Sequence, residues 1–142
     1  NRYKEYEKIS DIILFDSKGY EKSASFNHAL LSHVPKSINK MLAGNIQYND
    51  DLDKYSKITD IILFDGKGYE KSISFNHKFI KNLKLKFNIM LAGNIKPNDN
   101  LENFVEIANI IDISGGLETY GKKDISKINI FLNNINKFKN EN

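Results

Sequence analysis

The groups in this chain that chemistry can use each follow a short apolar run. Asp16 follows Ile12-Ile13-Leu14-Phe15, and Asp65 follows Ile61-Ile62-Leu63-Phe64. The pairs Gly44-Asn45 and Gly93-Asn94 close Met41-Leu42-Ala43 and Met90-Leu91-Ala92, while Asp112 and Ser114-Gly115-Gly116 come with and after Ile110-Ile111. A positioned carboxyl can give or take a proton. A glycine pair lets backbone N–H groups come close to an anion, because no Cβ stands in the way. The bland reading of each Asp is a turn former at a strand end.

Positions of this kind need a frame that gathers them. A continuous apolar run bounded by turn residues reads as a strand buried on both faces, as in a parallel sheet. After each Asp comes a Lys-Gly turn, then a helix opening at Ser25-Phe26-Asn27-His28 or Ser74-Phe75-Asn76-His77, with Ser in a capping position. The runs at Met41 and Ile89 follow as second strands, so each unit is β-α-β. An acid-started short helix is expected over Asn49–Tyr55, and a longer amphipathic one over Asn98–Ile107. Ile110–Gly116 reads as the fifth strand and its Gly pair, followed by a last helix from about Lys123 to Phe138. Strand-helix alternation predicts a parallel α/β sheet with right-handed crossovers. In such sheets the carboxyl ends of the strands share one face, where sites form.

The units are copies. Residues 9–46 and 58–95 align without a gap, Ile9 falling on Ile58 and Ile46 on Ile95, and even the loop Lys18-Gly19-Tyr20-Glu21-Lys22 recurs as Lys67-Gly68-Tyr69-Glu70-Lys71. Near-verbatim loops mark a recent duplication rather than the sparse core pattern of a solenoid. The expected organisation is one α/β segment over 1–142: the two copies, then a unique βα part over 96–142.

The chain has 142 residues, the size of one domain, and a formal net charge of +3. Its lysines alternate with acids and do not form the clustered basic face of a nucleic-acid groove, so no nucleic-acid partner is expected; a phosphate-bearing small molecule suits the charge as well. With no cysteine there is no disulfide, thiolate metal site or cysteine nucleophile. No apolar run approaches the roughly 20 residues that span a bilayer, and no signal-peptide pattern is present, so a soluble cytoplasmic protein without a membrane partner is expected. The chain opens on Asn1 within an amphipathic pattern, as a fragment would.

Three ordered stretches carry a family resemblance: Leu63-Phe64-Asp65 with the turn after it; Leu91-Ala92-Gly93-Asn94-Ile95 followed by Asn98-Asp99 and Leu101; and Asp112-Ile113-Ser114-Gly115-Gly116-Leu117-Glu118-Thr119 followed by Gly121, Lys123-Asp124, Lys127-Ile128 and Phe131-Leu132. Over Ile58 to about Asn133 the chain resembles the C-terminal part of phosphoribosylanthranilate isomerase, a tryptophan-pathway enzyme built as a (β/α)₈ barrel. The resemblance implies the sixth to eighth strands of that barrel, and hence a TIM-barrel-type fold left incomplete at about five strands. It also implies an Amadori rearrangement of N-(5′-phosphoribosyl)anthranilate to 1-(2-carboxyphenylamino)-1-deoxyribulose 5-phosphate, with no cofactor and no metal. The general acid of the family matches Asp65 and, by duplication, Asp16. The phosphate site maps to Gly93, Asn94, Ser114, Gly115 and Gly116, and Asp112 matches a residue near the anthranilate end.

The sequence departs from the family in three places. The family's general base is a cysteine in a Lys-x-Cys-Gly strand, which this chain lacks, as it lacks the first to fifth strands and their anthranilate-binding arginine. Tyr20–Ser23 and Tyr69–Ser72 replace a Gly-Gly-x-Gly loop. Three readings therefore stand side by side: an isomerase, a catalytically inactive phosphate-binding segment without the base, and a subunit that completes a barrel with another chain. An open sheet favours self-association or complementation by an N-terminal barrel fragment. His28 and His77 are copies of one helix position and read as surface or packing residues, Tyr20 and Tyr69 as loop-packing aromatics, and Lys78, Lys81, Lys84 and Lys86 as a solvated face. Asp11 and Asp60, at the opposite strand ends, read as solvated turn residues.

Overall fold

The computed structural model describes residues 2–16, 27–43, 46, 50–65 and 87–141. Its main sheet takes the five expected strands in chain order: β1 (Ile12–Phe15), β2 (Asn39–Leu42), β3 (Ile61–Phe64), β4 (Asn88–Leu91) and β5 (Ile110–Ile111). The β1/β2, β2/β3 and β4/β5 pairings are parallel. The architecture is α/β in class, and among the described residues β1 and β5 end the strand order without pairing to each other, so no closed barrel is formed by them. The chain divides into two compact units, Asn1–Phe64 with Leu83–Ile89 and Asp65–Asn82 with Met90–Asn142.

In the first unit the same tetrapeptide, Ile-Ile-Leu-Phe, occupies two environments. In β3, which has a strand on either side, Ile61, Ile62 and Phe64 are buried. In β1, which among the described residues has only β2 beside it, Ile12 and Leu14 are 41% and 51% exposed, so burial on both faces holds for β3 and fails for β1. Strand propensity is the same in both copies; position in the sheet decides what is covered. Leu42 and Ile62, fully buried, anchor this core, each contributing about 1.5–3 kcal/mol by burial.

The helices of this unit are short. The first copy forms a 3₁₀ segment over His28–His33, not a long α-helix, and its cap is Asn27, whose side chain accepts from the Ala29 amide at 3.1 Å. Pro35 stops it, because the residue before a proline is pushed extended, and Val34 sits at φ −82°, ψ 131°. Ser25, the corresponding second-copy helix, and the Gly44-Asn45 pair lie outside the described residues. A second 3₁₀ segment, Leu52–Lys57, follows Asp51 and buries Leu52 and Tyr55. The amphipathic start of the chain is a 3₁₀ turn over Arg2–Glu5.

Lys40, a residue of β2, is buried. Its Nζ donates to the Ile38 carbonyl at 2.8 Å and stands 3.7 Å from Asp60 Oδ2, which also accepts from the Lys40 amide at 2.8 Å. The buried Thr59 hydroxyl donates to the Lys40 carbonyl at 2.7 Å. Asp60 is therefore a partner for a buried ammonium group and not merely a solvated turn residue. At the β4/β5 junction, which repeats the β2/β3 register, the corresponding positions carry Ile89, Ala108 and Asn109, so the polar trio is not repeated there.

In the second unit the β4/β5 register, Met90 with Ile110 and Leu91 with Ile111, repeats that of Met41 with Ile61 and Leu42 with Ile62. The amphipathic stretch after β4 yields one helical turn, α1 (Glu102–Val105), with Leu101, Phe104 and Ile107 buried at three-residue spacing. A small hairpin, β6 (Glu118–Thr119) against β7 (Lys122–Lys123), follows β5. Its two-residue turn, Tyr120-Gly121, has φ of 52° and 74°, the left-handed pair that hairpin turns use. The last helix, α2 (Ile125–Glu141), begins after Asp124, two residues later than the apolar pattern suggests, because Lys122–Lys123 are taken by β7. Among the described residues, no helix is long and apolar enough to cross a membrane.

Candidate functional site

Two loops at the carboxyl ends of β4 and β5 build a cavity in the second unit. After β4, Ala92 is buried, and Gly93 and Asn94 take φ of 86° and 52° in succession. Glycine adopts this conformation without cost, and Asn tolerates it better than most residues, so Gly-Asn suits a sharp reversal at a strand end. Ile95 is buried again, and the Lys96 amide donates to Asp99 Oδ2 at 2.8 Å to close the turn. After β5, the Asp112 amide continues the ladder by donating to the Leu91 carbonyl at 2.8 Å. The chain then turns through the short 3₁₀ segment Gly115–Leu117.

The loops touch at Gly116. A Cβ there would fall inside the contact radius of the Ile95 carbonyl oxygen and within 3.2 Å of Ile113 side-chain carbons. Glycine is needed at this place for close approach of backbones. Gly115, by contrast, has open space where a Cβ would stand.

The hairpin and the start of α2 hold the second loop. Lys123 Nζ donates to the Ser114 carbonyl at 3.0 Å, to Ser114 Oγ at 3.2 Å and to Glu118 Oε1 at 2.7 Å. Asp124 caps α2, its Oδ1 accepting from the Ser126 amide at 2.9 Å and the Lys127 amide at 3.4 Å, while Oδ2 accepts from the Thr119 hydroxyl at 2.6 Å. The Thr119 hydroxyl, and then the Lys127 and Ser126 amides, hold the Asp124 carboxyl below the usual carboxylate range. Lys127 Nζ donates to the Glu118 carbonyl.

The cavity has a volume of about 880 Å³. Asp65, Gly93, Asn94, Asp112, Ser114, Gly115 and Gly116 all line it. Asp65 reaches it from the end of β3 with an exposed side chain. Asp16, exposed at the end of β1, is not among its lining residues. Sequence reasoning missed Lys96, Lys127 and Ile130, which also line the cavity. For Lys127 a signal existed: a side chain in the first turn of a helix leans back toward the N-terminus, and that end follows the Ser-Gly-Gly turn and its hairpin. Among the described residues no cluster of His, Cys, Asp and Glu is arranged to hold a metal ion.

A parallel α/β sheet with a cavity at the carboxyl ends of its strands, lined by two glycine-containing loops and by Asp65 and Asp112, defines a class: an α/β protein with its candidate site at the strand ends, where folds of this kind hold small ligands. The model of the N-(5′-phosphoribosyl)anthranilate (PRA) isomerase family matches residues 46–134, and the chain belongs to this family. The solved phosphoribosyl anthranilate isomerase of Thermotoga maritima is similar at 17% identity over 96% of this chain and 95% of that one, with a TM-score of 0.46. No curated protein matches. Every residue lining the cavity falls within the matched span, and Asp16 falls before it. The family acts on a phosphoribosyl small molecule.

Proposed function

We propose that the chain acts as a phosphoribosylanthranilate isomerase in tryptophan biosynthesis. The observation that carries this is the convergence of Asp65, Asp112, both glycine loops and the matched family span on one cavity. In this reading Gly93, Asn94 and Ser114–Gly116 hold the 5′-phosphate by backbone amides, Asp112 stands toward the anthranilate end, and Asp65 protonates the furanose ring oxygen as the sugar opens. Asp16 is a retained copy of the acid. The chemistry asks for no cofactor or metal, and a phosphorylated metabolite fits a cytoplasmic location.

Ring opening needs an acid, and removal of the C2′ proton needs a base on the other side of the sugar. The sequence contains no cysteine to serve as that base. Complementation by an N-terminal barrel fragment carrying a Lys-x-Cys-Gly strand would supply it, and the single neighbours that β1 and β5 have among the described residues favour such pairing. Self-association through the same edges is the competing partnership. The missing base also favours a second reading, a chain that binds phosphate esters without turnover.

Conversion of N-(5′-phosphoribosyl)anthranilate, followed chromatographically with the chain alone and with an added N-terminal fragment, tests these readings. Product formation in either arm, lost in Asp65→Asn, supports the isomerase; binding without product in both arms supports the second reading; no binding in either arm overturns both.

A further inference from the structure

Two lysines flank the Ser114–Gly116 turn, and their hydrogen bonding separates their roles. An ammonium group has three N–H donors. Those of Lys123 meet three acceptors: the Ser114 carbonyl, Ser114 Oγ and Glu118 Oε1. Lys123 thus ties the turn to the hairpin, and it does not line the cavity. Lys127 lines the cavity, and its Nζ has a hydrogen bond to the Glu118 carbonyl. That bond directs the side chain and leaves donors for another oxygen.

The charged lining consists of Asp65, Asp112, Lys96 and Lys127. A phosphate ester brought next to two carboxylates needs a countercharge, and neutral amides alone provide only partial charge. Lys96 is exposed, whereas Lys127 is partly covered and is carried by the capped first turn of a 17-residue helix. A side chain placed on a rigid element loses less freedom when it binds.

We infer that Lys127 is a substrate-binding residue: its ammonium group pairs with the phosphate held at the Ser114–Gly116 turn, while Lys123 only positions that turn. This rests on the phosphate site proposed above.

Titration of the whole chain with inorganic phosphate, read by calorimetry, tests it, with KM and kcat measured where the chain turns over. Lys127→Met is expected to weaken phosphate binding about tenfold or more and to raise KM with kcat little changed, because charge-assisted contacts to an anion are removed equally from ground and transition states. Lys127→Arg should restore most of the affinity, which a purely packing role would not require. Circular dichroism and thermal unfolding of both variants establish that α2 is intact. Phosphate binding by Lys127→Met equal to that of the unaltered chain overturns the inference while leaving the site standing. If Lys127→Met unfolds, Lys127→Arg decides: affinity retained supports the role, and affinity lost in a folded Arg variant overturns it. Absence of phosphate binding by the unaltered chain overturns the site itself, and the inference with it.

Discussion

The backbone of Gly116 lies against the carbonyl oxygen of Ile95, so close that no side chain fits between them. This contact joins the loop after β4 to the loop after β5, and the cavity exists because the two loops meet there.

Gly116→Ala should therefore separate the loops. Overpacking of this kind costs about 1–3 kcal/mol. Gly115→Ala, with open space at its Cβ, is the control and should leave stability within about 0.5 kcal/mol. Chemical denaturation of the two variants gives the comparison; equal effects at both positions would contradict the loop contact.

Lys123→Met removes the tie between Ser114 and the hairpin. As an exposed group it should change stability by less than about 1 kcal/mol. Its effect should appear instead as faster amide hydrogen exchange at residues 114–117, because the turn's local opening no longer has to break the two hydrogen bonds from Lys123 to Ser114. Unchanged exchange there would show that the turn holds itself.

The Lys40–Asp60 pair gives an asymmetric prediction. Asp60→Ala leaves a buried ammonium group short of a partner and should destabilise by about 1–3 kcal/mol. Lys40→Ile, the residue found at the copied position, should cost less, since an apolar group replaces the buried charge. The double variant should lose, beyond Lys40→Ile, only the bond from the backbone amide of residue 40 to Asp60, about 1 kcal/mol; fully additive losses in urea unfolding would contradict the side-chain pairing.

How far could the sequence be read? The five strands and their parallel order follow from apolar runs and turn residues, because these signals are local. The unequal burial of β1 and β3 was invisible, since Ile12–Phe15 and Ile61–Phe64 are the same residues and differ only in their neighbours. The hairpin was hidden by Tyr120 in a place where Asn or Asp usually announces the turn. In the site, Asp65 and the glycine loops were legible from their strand-end positions. Lys127 carried only an indirect signal, its place in the first turn of the last helix, and that depends on where Asp124 starts α2.

His28 should make stability depend on pH. It packs edge-on against buried Tyr55, ring centroids 5.5 Å apart. Desolvation, and then the Lys54 charge, lower its pKa, with Asp50 opposing. The unfolded chain then binds the proton more readily, so the contribution is full above about pH 6.5 and is lost as pH falls through the lower folded value. Denaturation midpoints taken between about pH 5 and 8 should show this slope, and His28→Gln should reduce it. An unchanged slope in His28→Gln would place its origin elsewhere.

The central claim, that the cavity is a phosphoribosylanthranilate site with Asp65 as its acid, is tested most directly by turnover of N-(5′-phosphoribosyl)anthranilate with Asp65→Asn and Asp16→Asn, in the presence of an N-terminal fragment that supplies the base. Loss of a general acid lowers rates by about 10²–10⁴-fold, so Asp65→Asn should fall by that much. Asp16→Asn should keep its rate. A fall in Asp16→Asn with Asp65→Asn unaffected, or no fall in either, would contradict the account.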